Sequence, residues 1–148
     1  MTRTELAVKK FTDGYNCAQA VLCAYCDKFG MDEVAAFKLT EGFGLGMGGY
    51  KDECGAVTGM FMTIGLQNSD GLLQGSATKL NTYEKLKAAG EAFAEENGSI
   101  MCRDLIGKGK ALKEAATPEE IAAARGKNLM CVKCVRSAAE YLEKNIVK

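Results

Sequence analysis

Gly42-Phe43-Gly44-Leu45-Gly46-Met47-Gly48-Gly49 places five glycines in eight residues, and the reading of this run decides the fold. It contains Gly44-x-Gly46-x-x-Gly49, the spacing of a dinucleotide-binding turn. That turn works only between a strand and a helix of a βαβ unit, where the helix N-terminus holds the pyrophosphate. Here the preceding segment, about Asp32 to Thr40, reads as a short helix, and strand-like alternation of Val, Ile, Thr and aromatics is hard to find anywhere in the chain. A nucleotide-binding parallel sheet is therefore rejected. Glycines this dense form neither a regular helix nor a regular strand. The run is expected to use positive φ, or to lie close against something, as a connector between helices.

Working outward, helical spacing dominates. A first helix is predicted over about Arg3 to Phe11, stopped by Asp13-Gly14. A second covers about Asn16 to Phe29, with Asn16 as its N-cap and Gly30 as its stop. After the glycine run, Asp52 is expected to cap a helix from Glu53 to about Leu66. Gly55-x-x-x-Gly59 on one face, with Gly65 near the same side, would let another backbone approach closely. A long helix follows from about Ser76 to Glu96, with Leu80, Tyr83, Leu86 and Phe93 at near-helical steps and Asn97-Gly98 at its end. Ser99 caps a brief turn from Cys102 to Ile106, and Gly107 to Lys110 is a short loop. Thr117-Pro118-Glu119-Glu120 is the clearest local signal: an N-cap, a proline at the first helical position and a glutamate completing a capping box. The last helix is predicted from about Asn128 to Ile146, with an inward stripe of Cys131, Val135, Ala138 or Ala139, Leu142 and Ile146. The expected fold is all-α: one domain over residues 1–148, a bundle of about six to seven helices with a glycine-rich connector.

The chain's formal net charge is zero, with 19 basic and 19 acidic residues. Bulk attraction to nucleic acid or to an anionic membrane is not expected. The start carries charge at once and lacks the apolar core of a secretory signal. The uncharged run from Cys54 to Ser69 is shorter than the ~20 residues that span a bilayer. A soluble, cytoplasmic protein is expected. In such a reducing compartment, seven cysteines, an odd number, are buried apolar residues, metal ligands or redox groups rather than a disulfide framework. The chain has no histidine, which excludes Ser-His and Cys-His dyads, His-containing zinc sites and c-type haem attachment.

The cysteines are placed suggestively. Cys17 follows the cap Asn16, Cys54 follows Asp52, Cys102 follows Ser99, and Cys131 comes three residues after Asn128. All four are thus expected in first helical turns, where free N–H groups and the helix dipole favour a thiolate. Around Cys54 the acidic Asp52 and Glu53 oppose this effect. Cys131-x-x-Cys134 puts two sulfurs on one side of a helix start, an arrangement suited to a dithiol–disulfide couple or to two ligands of a thiophilic metal. Cys23-x-x-Cys26 has the same spacing but lies mid-helix, and reads as core packing.

Taken together, Gly14-Tyr15-Asn16-Cys17-Ala18-Gln19-Ala20-Val21-Leu22, the glycine run, Glu53-Cys54-Gly55-Ala56-Val57-Thr58-Gly59, Cys102-Arg103-Asp104-Leu105-Ile106-Gly107 and Cys131-x-x-Cys134 resemble the redox-active family named for its pattern, C_GCAxxG_C_C. One departure stands out: Glu53 precedes the second cysteine and Gly55-Ala56 follow it, where the pattern has glycine before and alanine after. The resemblance implies functional positions at Cys17, Cys54, Cys102 and Cys131, with Cys134 beside the last, and leaves out Cys23 and Cys26. Through a related module in a bacterial multidomain cytochrome it also suggests an iron–sulfur cluster.

The expected site is therefore a convergence of Cys17, Cys54, Cys102, Cys131 and Cys134. In a dithiol version, Cys131 and Cys134 exchange while Cys54 or Cys17 resolves or relays. In a metal version, four thiolates from among Cys17, Cys54, Cys102, Cys131 and Cys134 hold an iron–sulfur cluster or another thiolate-bound metal, with Gly46, Gly48 and Gly49 offering backbone N–H groups nearby. The rivals are a protein that binds or senses a thiophilic metal without turnover, and a helical interaction module whose cysteines are only core. The expected partner is a redox protein, and the glycine face and apolar last helix suggest a homodimer.

Overall fold

The computed structural model describes residues 1–73 and 77–147. Among these residues the chain is helical with no strand. It has eight helices of seven residues or more, one or two beyond the expected count, and two single-turn segments.

Helix α1 (Arg3–Asp13) starts on a capping box between Thr2 and Glu5 and ends at Gly14. Helix α2 (Cys17–Tyr25) starts on a second box, in which Asn16 accepts from the Gln19 N–H and Gln19 reaches back to the cap N–H. The expected run to Phe29 continues only as a tighter 3₁₀ turn, Cys26–Phe29, closed by left-handed Gly30. Helix α3 (Glu33–Thr40) is capped by Asp32. The glycine run then forms a single turn, α4 (Gly44–Met47), in which Leu45 and Gly46 have left-handed backbone angles.

Helix α5 (Gly55–Asn68) is the centre of the molecule, buried from Gly55 through Met60 and again at Thr63 and Ile64. Fully burying a side chain such as Met60 or Ile64 contributes roughly 1.5–3 kcal/mol. The expected close approach at Gly55 and Gly59 occurs, and the partner is α2 of the same chain. A Cβ on Gly59 would stand 2.9 Å from the Ala18 carbonyl oxygen and 3.0 Å from the Val21 Cβ. This uses up the glycine face that suggested a homodimer.

Helix α6 (Lys79–Asn97) packs through Ala89, Gly90 and Phe93, while Leu80 and Tyr83 are exposed. Its expected first residue, Ser76, lies outside the described residues. The short turn α7 (Cys102–Leu105) is capped by Met101, not Ser99. Ser99 braces it instead, accepting from the Met101 N–H and donating to Asp104. Helix α8 (Gly109–Ala115) stands where a loop was expected. Its first residue must be small, because Asn128 packs against it where a Cβ would be. Helix α9 (Pro118–Ala124) has the Thr117–Glu120 capping box read from the sequence.

The last helix, α10 (Leu129–Asn145), is capped by Asn128. It buries Met130, Val132, Cys134, Val135, Ala138, Ala139 and Leu142, whereas Cys131 and Ile146 are only half-buried. The expected inward stripe thus holds at Val135, Ala138, Ala139 and Leu142 and is widened by Met130, Val132 and Cys134, so that Cys134 is the more deeply buried cysteine. The Tyr25 hydroxyl donates to the Ala139 carbonyl at 2.6 Å, tying α2 to α10 inside the core. The apolar face of α10 is consumed within the chain as well. No helix among the described residues is long and apolar enough to cross a membrane.

Candidate functional site

Five of the seven cysteines line one small cavity of about 30 Å³: Cys17, Cys54, Cys102, Cys131 and Cys134, together with Leu45, Gly55, Leu105, Ile106 and Met130. Four of the five sit at helix starts. Cys17 is the first residue of α2, Cys54 is the N-cap of α5, Cys102 opens α7, and Cys131 is in the first turn of α10. Cys134 follows one turn later on α10.

A short backbone pairing brings two of these starts together. The Cys54 N–H donates to the Ile100 carbonyl at 2.7 Å, and the Cys102 N–H donates to the Asp52 carbonyl at 2.6 Å. Glu53 and Met101 form an isolated antiparallel bridge between them. The glycine run closes this corner. Gly46, at φ +61°, lies so close to Cys102 that a Cβ would stand 2.6 Å from the Cys102 Cβ. The Asp52 N–H donates to the Gly46 carbonyl at 2.9 Å. On the far side, Gly55 lets the Cys17 sulfur approach to where its own Cβ would lie, at 2.9 Å. Asn128 caps α10 and also donates to the Ile106 carbonyl at 3.0 Å, which sets Cys131 against the α7 corner.

Not every expected residue arrives. Gly48 and Gly49 are exposed and do not line the cavity; from the run, Leu45 does. Cys23 and Cys26 belong to a separate cluster with Leu22 and Ala36, partly covered by Phe37, as their mid-helix position suggested. Leu45, Leu105 and Ile106 lie within motifs but were given no role there, and Met130 lies in none. They are recognised as site residues only by where the chain folds.

The cavity walls are apolar, so ionising a thiol there is costly. Burial raises Cys17 to about 11 and Cys131 to about 12, and raises Cys102 as well, the neighbouring Cys54 charge adding to each; Cys134 is raised first by Cys54 beside it and then by burial. Cys54 alone goes the other way. Its sulfur accepts a hydrogen bond from the Cys134 thiol and is further held by the Val57 and Ala56 N–H groups at the start of α5; together these outweigh burial and the opposing Glu53 charge. The two acidic neighbours are engaged elsewhere: Asp52 pairs with Arg103, and the Glu53 carboxylate accepts from Thr58 at 2.6 Å. Of the five thiols Cys54 is thus the one that ionises most readily, with Cys134 beside it held protonated.

A family profile described as "Putative redox-active protein (C_GCAxxG_C_C)" matches residues 15–145. The chain belongs to this family. No curated protein and no solved structure matches it. The family's redox character agrees with a pocket walled by thiols. The iron–sulfur cluster is another matter. Among the described residues, no three or more Cys, Asp or Glu side chains are grouped to hold a metal ion. A cavity of about 30 Å³ is filled by one or two water-sized guests. As the side chains stand, the residues do not fit a cluster, and no step is assigned to one.

Proposed function

We propose that this chain is a thiol redox protein whose working unit is the Cys54–Cys134 pair, cycling between dithiol and disulfide. The observation that carries this reading is the convergence of Cys54, at the N-terminus of α5, and Cys134 on the wall of one small apolar cavity, where Cys134 and the first N–H groups of α5 draw the Cys54 thiol below its ordinary value. A thiolate beside a protonated thiol is the starting state of a two-electron couple. Cys54 supplies the nucleophile, and Cys134 supplies the second sulfur and, after losing its proton, closes the disulfide. Two electrons leave the pair with the formation of one S–S bond. Cys131, half-buried one turn before Cys134, is the sulfur through which an outside thiol returns those electrons. Cys17 and Cys102 are held in the neutral form and wall the pocket.

This assignment moves the exchanging pair from Cys131–Cys134 to Cys54–Cys134. Spacing along a helix favours the former, but the lowering of the Cys54 thiol by Cys134 beside it at the start of α5 supports the latter. The test is a free-thiol titration before and after prolonged oxidation with excess diamide, followed by mapping of the linked peptides. The expected result is a loss of two thiols and a Cys54–Cys134 cross-link. Cys54→Ser abolishes it, whereas Cys23→Ala leaves it unchanged. A cross-link confined to Cys131 and Cys134 in the wild-type protein would refute the assignment.

A further inference from the structure

We propose that the oxidant of the Cys54–Cys134 pair is a hydroperoxide no bulkier than hydrogen peroxide, admitted to the small apolar cavity beneath Leu45. This rests on the dithiol reading above, and concerns what the pocket accepts.

Three observations bear on it. First, the two sulfurs are deeply placed: Cys54 is 6% exposed and Cys134 1% exposed. A protein disulfide or oxidised glutathione must bring its own sulfur into line with the attacking one, and there is no room for its substituents. Second, the free space is about 30 Å³. One water-sized guest needs about 10–15 Å³ of such space, so the cavity accommodates a molecule of two heavy atoms, the size of HO–OH. Third, the cavity reaches solvent on one side only in part. Its rim is made by the half-buried Cys17, Cys131 and Ile106 and by Leu45, which is 56% exposed and held on a left-handed backbone at φ +49°. Leu45 thus sets the width of the opening.

The chemistry balances with the groups present. The Cys54 thiolate attacks one peroxide oxygen; the S–O bond forms, the O–O bond breaks, and the departing hydroxide takes the Cys134 proton to become water. Cys54 is now a sulfenic acid and Cys134 a thiolate. The Cys134 sulfur attacks the Cys54 sulfur, and the second hydroxide leaves and takes a proton from solvent. The sum is one thiolate, one thiol, one peroxide and one proton giving one disulfide and two waters. Peroxide is reduced by two electrons and the sulfur pair is oxidised by two.

The experiment compares oxidants on the wild-type protein at neutral pH, following formation of the Cys54–Cys134 cross-link. Hydrogen peroxide, cumene hydroperoxide and oxidised glutathione are supplied at equal concentration. The expected result is that both bulky oxidants act at least about tenfold more slowly than hydrogen peroxide. Leu45→Ala should narrow that gap by speeding the bulky reagents. In Cys134→Ser, or Cys134→Ala if the first does not fold, hydrogen peroxide should add one oxygen atom to Cys54 and form no cross-link. Equal rates for all three oxidants would overturn the peroxide assignment, as would a hydrogen peroxide rate no greater than that of the denatured chain. Either outcome leaves the dithiol couple standing. Failure of the pair to link under every oxidant, prolonged treatment with excess diamide included, would instead remove the couple itself.

Discussion

Gly59→Ala tests whether the pocket depends on the close crossing of α2 and α5. These two helices carry Cys17 and Cys54, and Gly59 lies one turn below the cavity. The new methyl would stand 2.9 Å from the Ala18 carbonyl oxygen and 3.0 Å from the Val21 Cβ. The first is backbone and cannot swing aside, so the helices must separate. Overpacking of this kind costs about 1–3 kcal/mol, and the better helix propensity of alanine offsets about 1 kcal/mol of it. The net expectation is a loss of up to about 2 kcal/mol. Gly65→Ala, on the same helix, is the matched control. Nothing lies within 4 Å of the position its methyl would take, so it should gain roughly 0.5–1 kcal/mol. Thermal unfolding of the two variants, at about 2–4 °C per kcal/mol for a chain of this size, should separate them by several degrees, with Gly59→Ala lower. Equal midpoints, or a more stable Gly59→Ala, would refute the crossing as described.

Alkaline solution should destabilise the fold. Cys17 and Cys131 are raised from an ordinary 9.0 to about 11 and about 12; below pH 9 folded and unfolded chains both keep these protons, while between about 9 and 12 only the unfolded chain releases them. At about 1.4 kcal/mol per unit, Cys17 alone accounts for up to about 3 kcal/mol, and urea midpoints measured across this range should fall less steeply in Cys17→Ala than in the wild type. Because the Glu53 charge opposes the Cys54 thiolate, Glu53→Gln should move the midpoint of the ultraviolet thiolate-absorbance titration of Cys54 to lower pH; an upward move would show that the loss of its bond to Thr58 dominates instead. Asn16→Ala removes the cap of α2 and its bond to the Glu41 carbonyl; a loss of about 1–2 kcal/mol is expected by denaturant titration, and a neutral result would mean that α2 is held by packing alone.

The helices announced themselves where partners lie within one turn. Asn16 with Gln19 and Thr117 with Glu120 form the capping boxes that their spacing predicts, because those bonds need only the local chain. The placement of cysteines at helix starts was legible for the same reason. Other features escaped. Asp52 does not cap α5, since Arg103, far along the chain, pairs with it, and Cys54 becomes the cap. The start of α8, Gly109 and Lys110, was read as part of a loop from Gly107 to Lys110 because that stretch looks like a connector; packing of Gly109 against Asn128 overrides that local weakness. Gly48 and Gly49 carry the backbone around the turn at positive φ, and their exposure could not be told from the glycine pattern.

The amino-acid order by itself determined the helical class, the rejection of a nucleotide-binding turn, the absence of histidine chemistry and the grouping of Cys23 with Cys26 as core. Each of these follows from composition or from contacts within a turn of helix. Tertiary structure decided which sulfurs meet. The pairing of residues 52–54 with 100–102 and the seating of α10 bring Cys131 and Cys134 to one cavity with Cys54, with Cys134 the more deeply buried of the two. That choice is made by the packing of α2, α5 and α10 around one core, where a rotation of a single helix by one residue exchanges which side chain faces inward.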